Sequence, residues 1–327
     1  MNTQAVRPFR LGIVGLGKVT RDFHLPSIAS NRSFVLAAGA DLHARLPHIP
    51  CFASLEAMLD ETPSLDAVAI CTPPQVHYKG ARLALEKGKH VLLEKPPCTN
   101  ADHLQSLAQI ARENGRTLHA PWHSQYARRV DAARRIVDAR KLLRVEITWK
   151  EDMGRWHTGQ EWLWQPGGFG VLDCGINALS ILTRLVPWVF AKSGKLYVPA
   201  SGASPVAAEL EFTTQDGVPI SAIFDSRHTG PEVWDIDIAT DSGRLLLSSG
   251  GHVLTEGDET PEKPTDTLAY EYPLIYRHFA ELIERRESDV DPRPLMVLTD
   301  LLLASRKIFG KIFTPPLDSV GTSVQQF

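Results

Sequence analysis

Gly15-Leu16-Gly17-Lys18-Val19-Thr20 follows an apolar run and precedes a helix-length segment, the setting in which glycines at this spacing bind phosphate. The first glycine permits a tight strand-to-helix turn, and the second lets the backbone approach a diphosphate. The N–H groups of the helix start then point at the anion. The fingerprint G-x-G-x-x-(G/A) fails at its last position, where Thr20 replaces a small residue. Roughly 20 residues on, Asp41 ends the next apolar run, followed by Leu42. A carboxylate there accepts from a ribose 2′-hydroxyl and repels a 2′-phosphate, so NAD is expected, with nearby Arg45 leaving room for NADP. Two other groupings could do chemistry. Glu94-Lys95 ends an apolar run, either as a surface ion pair or at the strand end where α/β sheets hold ligands. Asp173 and Asn177, four apart, share a helix face and could reach one hydroxyl, although an aspartate after the glycine-rich 167–170 is by default a helix N-cap.

The elements that must carry these residues fall into two patterns. Over 9–122, runs at 9–14, 34–40, 66–71, 90–94 and 117–120 are apolar on both faces and separated by helix-length segments. That is the pattern of a parallel sheet covered on two sides, a Rossmann domain spanning 1–122. From about 143 the strand candidates 209–212, 234–238 and 244–247 alternate in polarity. Trp234, Ile236 and Ile238 take one face and Asp235 and Asp237 the other, as in an antiparallel sheet with one buried side. Residues 123–327 therefore form a second α/β domain with a large, mainly antiparallel open sheet. Two closing helices are expected near 274–286 and 294–310, the latter packing back on the first domain, and 255–267 reads as an exposed loop.

Composition narrows the partners. With 35 Lys and Arg against 38 Asp and Glu, the net charge of −3 does not favour nucleic acid. The start, Met1 to Pro8, lacks the apolar core of a secretory signal, and no apolar run reaches the ~18 residues of a membrane helix. The four cysteines show no Cys-x-x-Cys spacing, and Cys174 reads as packing. The 12 histidines lack metal-ligand spacing, so no metal is expected. A cytoplasmic protein with reduced thiols is the resulting expectation.

Glu94-Lys95-Pro96, His24-Leu25-Pro26, Cys71-Thr72-Pro73-Pro74 and Ala84 through Leu92 resemble motifs of the Gfo/Idh/MocA oxidoreductase family. Trp149-Lys150-Glu151-Asp152, Arg155-Trp156-His157, Pro166-Gly167-Gly168 and Asp173 through Asn177 are similar to its bacterial L-arabinose/D-galactose 1-dehydrogenase branch. The resemblance implies a homo-oligomer, dimer or tetramer, joined through the second sheet, with a small sugar as substrate. It implies a cofactor site of Gly15, Gly17, Lys18, Val19, Asp41, Leu42, Thr72, Pro73, His77, Glu94 and Lys95. Lys95 would stand beside the nicotinamide, with Asp173 as the carboxylate near the reacting carbon. Where the broad family has a histidine four residues on, this chain has Asn177, as that branch does. Glu151, His157 and Asn177 would then bind sugar hydroxyls, with Trp156 and Trp234 the candidates to stack on the ring.

Oxidation at C1 needs a hydride acceptor, a base for the O1 proton and hydrogen bonds that fix the ring. Asp173 is assigned as base, Asn177 as the orienting amide and Lys95 as the cation facing the developing oxyanion. Oxidation of another ring hydroxyl, as in inositol dehydrogenases, would call for the histidine that Asn177 replaces. A non-catalytic sensor of NAD and sugar would have no need of both Lys95 and Asp173.

Overall fold

The computed structural model describes residues 7–165, 168–200, 204–257 and 267–310. Short, largely buried apolar runs form the first sheet. Its strands are β1 (Phe9–Val14), β2 (Phe34–Ala40), β3 (Cys51–Phe52), β4 (Ala67–Ile70), β5 (His90–Leu93) and β6 (Leu118–Ala120). All pair in parallel, and the helices α1 (Leu25–Ser30), α2 (Leu55–Glu61), α3 (Pro74–Glu86) and α4 (Ala101–Glu113) connect them. Local chemistry sets these helix starts. Ser54 Oγ accepts from Ala57 N at 3.2 Å, Asn100 Oδ1 accepts from His103 N at 2.9 Å, and Pro74 takes the first position of α3, where its missing N–H costs nothing.

After α5 (Val130–Ala139) the second sheet begins with β7 (Leu142–Lys150), and α6 (Met153–Trp156) and α7 (Leu172–Leu185) follow. The sheet continues through β8 (Val189–Pro199), β9 (Ala207–Thr214), β10 (Pro219–Asp225), β11 (Val233–Thr240), β12 (Gly243–Ser248) and β13 (Val253–Glu256). Its order is β13-β12-β11-β7-β10-β9-β8, mainly antiparallel, with β10 and β7 parallel. Helix α7 covers its inner face: a Cβ on Gly175 would come within 2.4 Å of the Phe224 ring, so the missing side chain sets how closely helix and sheet approach.

The C-terminal segment departs from the expected plan. Helix α8 (Thr267–Arg285) starts earlier than expected and continues through Pro273. Its Tyr272, Ile275, Tyr276, Phe279 and Ile283 pack on Leu11, Ile13, Leu16, Ile28 and Phe34, so this helix returns to the first sheet, while the next meets the first domain at α4. Strand β14 (Asp289–Val290) then extends that sheet beside β6. The 294–310 stretch is not one helix. It is α9 (Arg293–Ala304), whose Leu295, Leu298 and Leu301 join the core that holds α7, followed by β15 (Ser305–Gly310), an edge strand beside β8. The two sheets thus do not divide the chain cleanly at residue 122. Of the expected loop 255–267, Thr255 and Glu256 end β13, Thr267 opens α8, and 258–266 lie outside the described residues. Among the described residues no helix is long and apolar enough to cross a membrane.

Candidate active site

A cleft of about 790 Å³ runs across the carboxyl ends of β1, β2, β4 and β5 and under the inner face of the second sheet. This is where open parallel sheets hold ligands. At one end lies the glycine turn. Gly15 has φ +85°, and a Cβ there would stand 2.7 Å from the Cys71 carbonyl oxygen, so only glycine lets β1 turn against β4. A Cβ on Gly17 would meet no atom within 4 Å, which leaves that backbone open to the cleft. Thr20, the misfit of the fingerprint, is buried, and its hydroxyl donates to Gly15 O at 2.5 Å, tying the helix start to the turn.

Asp41 anchors the same turn. Oδ2 accepts from Leu16 N at 2.8 Å, and Oδ1 accepts from His43 N and Ala44 N at 2.9 Å. Partial burial opposes its charge, but the N–H groups of Ala44, Leu16 and His43 hold the carboxyl below its usual range. Arg45 folds back, donating to Asp41 O and Ala44 O at 2.8 Å. Lys18, Val19, Leu42, Thr72 and Pro73 line the cleft between turn and sheet edge, and Thr72 Oγ1 is buried with no hydrogen-bond partner. The open backbone at Gly17, the helix start behind it and this orphaned hydroxyl fit a dinucleotide. His77 departs from expectation, because it is fully buried behind the cleft. There its Nε2 lies 2.5 Å from Thr72 O and its Nδ1 3.1 Å from Pro96 O, so it joins two wall segments and touches no ligand space.

At the other end the expected chemical groups converge. Asp173 is the second residue of α7, not its N-cap, and it accepts from Lys95 Nζ at 3.2 Å through Oδ2, while its backbone oxygen accepts from the same ammonium at 3.2 Å. Burial opposes the charge of Lys95, but Asp173 and Glu94, with Glu151 behind them, raise its pKa above the ordinary lysine value. His157 Nε2 stands 3.8 Å from both Asp173 Oδ2 and Glu151 Oε1, and its Nδ1 is 2.9 Å from Gln160 Oε1. Burial works against the His157 charge too, yet Glu151 and Asp173 hold its pKa above the ordinary histidine value. Glu151 accepts from Trp234 Nε1 at 2.9 Å, and the Trp234 ring stacks on Trp149 and tilts against Trp156. Asn177, one helical turn beyond Asp173, lines the same space. Cys174 donates its thiol to Val171 O and is buried, as packing requires.

A layer of polar residues, of which the sequence reading places only Glu94 in the site, holds this arrangement. Glu94 accepts from Tyr272 OH at 2.5 Å and faces His24 Nε2 at 3.4 Å, while His24 Nδ1 lies 2.8 Å from Tyr276 OH. Burial pushes the Glu94 carboxyl up, but His24, His123 and Tyr272 outweigh it and hold it at about 2. Burial likewise opposes the His24 charge, and Cys71, Tyr276 and Glu94 raise its pKa well above the usual value. Glu271, 2% exposed, bridges His123 Nδ1 at 2.6 Å and His252 Nε2 at 2.8 Å along the cleft floor. One signal could have found it. On α8 the stripe 268, 272, 275, 276, 279 is apolar or aromatic, and Glu271 lies on that stripe, where an unpaired charge would be too costly.

A model of an oxidoreductase family with an NAD-binding Rossmann fold matches residues 9–121. The chain is 39% identical over 309 residues to galactose 1-dehydrogenase from Pseudomonas fluorescens, covering 94% of this chain and 99% of that one. The crystal structure of D-galactose-1-dehydrogenase from Rhizobium etli is 42% identical with a TM-score of 0.87, over 96% of this chain and 100% of that one. The fold is shared more widely: KijD10, a 3-ketoreductase from Actinomadura kijaniata solved with NADP, has a TM-score of 0.79 at 19% identity, over 93% of this chain and 99% of that one.

Proposed function

Because the chain belongs to the Gfo/Idh/MocA oxidoreductase family, we propose that it is an aldose 1-dehydrogenase. It oxidises the C1 hydroxyl of D-galactose, and of L-arabinose, in the pyranose form to the aldonolactone. The observation that carries this reading is the buried Lys95–Asp173 pair, 3.2 Å apart, in the cleft that the glycine turn opens. The similarity to two galactose 1-dehydrogenases along nearly the whole chain supports the substrate.

Gly15, Gly17, Lys18 and Val19 would hold the cofactor diphosphate, Asp41 and Leu42 its adenosine ribose, and Thr72, Pro73, Glu94 and Lys95 its nicotinamide half. Bound nicotinamide supplies the hydride acceptor. Asp173 accepts the O1 proton while the C1–H bond gives up its electron pair and the C1–O1 bond becomes a carbonyl. Lys95 stabilises the negative charge that develops on O1 before the proton has fully left. Asn177 both donates and accepts, and so orients O1 without titrating. Glu151 and His157 hold ring hydroxyls, and Trp156 and Trp234 cover the apolar face of the sugar. Asp173 then returns its proton to water. NAD is the preferred form, because the Asp41 carboxylate repels a 2′-phosphate and Arg45 is turned back onto backbone carbonyls.

Galactose and arabinose share ring configuration from C1 to C4 and differ by the C5 hydroxymethyl group, a distinction worth only ~1–3 kcal/mol in a pocket. The test is a panel of aldoses and inositols with NAD and NADP, followed by absorbance of the reduced nicotinamide. Reduction with galactose and arabinose but not inositol is expected, and silence with every sugar would overturn the reading in favour of a sensor.

Assembly belongs to the same proposal. The outer face of the second sheet carries Phe190 and Ile223, each 46% exposed. Register pairs Phe190 with Thr213 and Ile223 with Thr148. A homo-oligomer formed through this face would bury them.

A further inference from the structure

At the β14 edge of the first sheet lies a group of side chains that the oxidation does not use. His119 on β6 and Asp289 on β14 are register partners, and His278 reaches them from α8. We propose that His119 Nδ1, His278 Nε2 and Asp289 Oδ2 form a binding site for one borderline divalent transition-metal ion, Zn²⁺ being the best fit.

The geometry supports it in three ways. First, the three ligand atoms lie within 4.8 Å of one another, with His278 Nε2 at 3.2 Å and His119 Nδ1 at 3.9 Å from Asp289 Oδ2. Tetrahedral bonds of 2.0–2.2 Å put neighbouring ligand atoms about 3.4 Å apart, so two of the three distances are already near the required value. Second, His119 is fully buried, and its Nδ1, 3.9 Å from the Asp289 carboxylate and near the Asp289 backbone, makes no hydrogen bond of normal geometry. A buried ring nitrogen left unpaired is costly, and an ion pair between His278 and Asp289 alone leaves that cost standing. Third, the other nitrogen of each imidazole already faces an oxygen. His119 Nε2 is 3.3 Å from Tyr126 OH, and His278 Nδ1 is 3.7 Å from Glu281 Oε2. Outer partners of this kind fix which nitrogen is presented to a metal.

Asp289 is half-exposed and His278 is 30% exposed, so an ion can enter from solvent and water can complete its shell. The ion would clip α8 and β14 to β6, holding the returning segment on the first sheet. The site lies outside the cleft and contributes no residue to it. Its loss should therefore leave turnover intact.

The test uses the full, untagged chain after chelator treatment, titrated with ZnCl₂ and with CoCl₂. One equivalent is expected to bind, with the intense visible bands of tetrahedral Co²⁺ and a rise in Tm on Zn²⁺ addition. His278→Ala and Asp289→Asn, both at partly exposed positions, should each weaken binding at least tenfold while kcat/KM with galactose stays unchanged. Glu281→Gln should weaken it by about tenfold. Absence of saturable binding by either ion at micromolar protein, or binding unaltered in both ligand variants, would overturn the proposal.

Discussion

Replacing Asp173 with asparagine keeps the shape of the side chain and removes only its charge and basicity. In the structure this carboxylate accepts from Lys95 Nζ at 3.2 Å and lies 3.8 Å from His157, and its side chain is 4% exposed. Two losses follow, and they appear in different measurements. The first is catalytic: a positioned general base is worth 10²–10⁴ in rate, or about 3–5 kcal/mol of barrier at 1.36 kcal/mol per decade. The second is electrostatic. At 3.2 Å and an effective dielectric near 20, the Lys95–Asp173 attraction is about 5 kcal/mol before desolvation is set against it. Glu94 and Glu151 still face the Lys95 ammonium in the variant, so the stability loss should stay below the ~3–5 kcal/mol of a buried charge left alone. Initial rates at saturating galactose and NAD should therefore show kcat reduced by about 10²–10⁴ with KM within about tenfold, since the amide still meets the O1 hydroxyl. NADH binding, followed by fluorescence, should be unchanged. If Asp173→Asn kept kcat within tenfold of the parent, or if its whole deficit lay in KM, Asp173 would not be the base.

Three further outcomes follow from the same geometry. Thr20→Ala, which restores the dinucleotide fingerprint, should lower stability by about 1 kcal/mol and Tm by roughly 2–4 °C, because it removes the hydroxyl bond to Gly15 O; an unchanged Tm would show that bond to be idle. The depressed carboxyl of Glu94 contributes stability that is complete above its unfolded pKa and lost as pH falls from about 4.5 towards 2, while the raised pKa of His24 contributes stability that is complete below 6.5 and lost on the alkaline side. Urea unfolding should accordingly be hardest between these limits, and Glu94→Gln should flatten the acid limb by an amount on the order of 3 kcal/mol; an equally steep limb in the variant would refute the assignment. Ile223→Lys places a charge on the outer sheet face and should shift the mass seen by light scattering towards the monomer; an unaltered assembly would put the interface elsewhere.

The Rossmann half was legible in sequence because its signals are local. A buried parallel strand reads as a continuous apolar run, and a phosphate turn needs glycines at fixed spacing. Asp41 and Lys95 were legible for the same reason, since each ends such a run. Thr20 shows how a local rule can mislead. The fingerprint scores it as a defect, while in the folded chain its hydroxyl satisfies a turn carbonyl that alanine would leave free. His77 erred in the opposite direction. It sits beside cleft residues in sequence, but on α3 its side chain points away from the ligand space and into the wall. The 294–310 stretch reads as one helix because its apolar residues suit helix and edge strand equally, and what divides them is the chance of pairing with β8, over 100 residues away.

What the sequence withheld most completely is the layer beneath the Lys95–Asp173 pair. Three of its contacts join segments far apart in the chain, Glu94 with Tyr272, His24 with Tyr276 and Glu271 with His123, and only His252 lies near Glu271 in sequence. No periodicity encodes such pairs, because each residue alone is an ordinary polar side chain and only the partner makes its burial tolerable. The partners converge because α8 returns to the first sheet. One face of that helix fills the core against Leu11, Ile13 and Phe34, and its first turns present Leu268, Glu271 and Tyr272 to the cleft. Apolar packing on the Rossmann side thus sets where Tyr272 meets Glu94, and Glu94 is the residue before the lysine that holds Asp173. The position of the Lys95–Asp173 pair therefore depends on a segment about 100 residues beyond Asp173, which is why the motifs name the pair but leave its support unread.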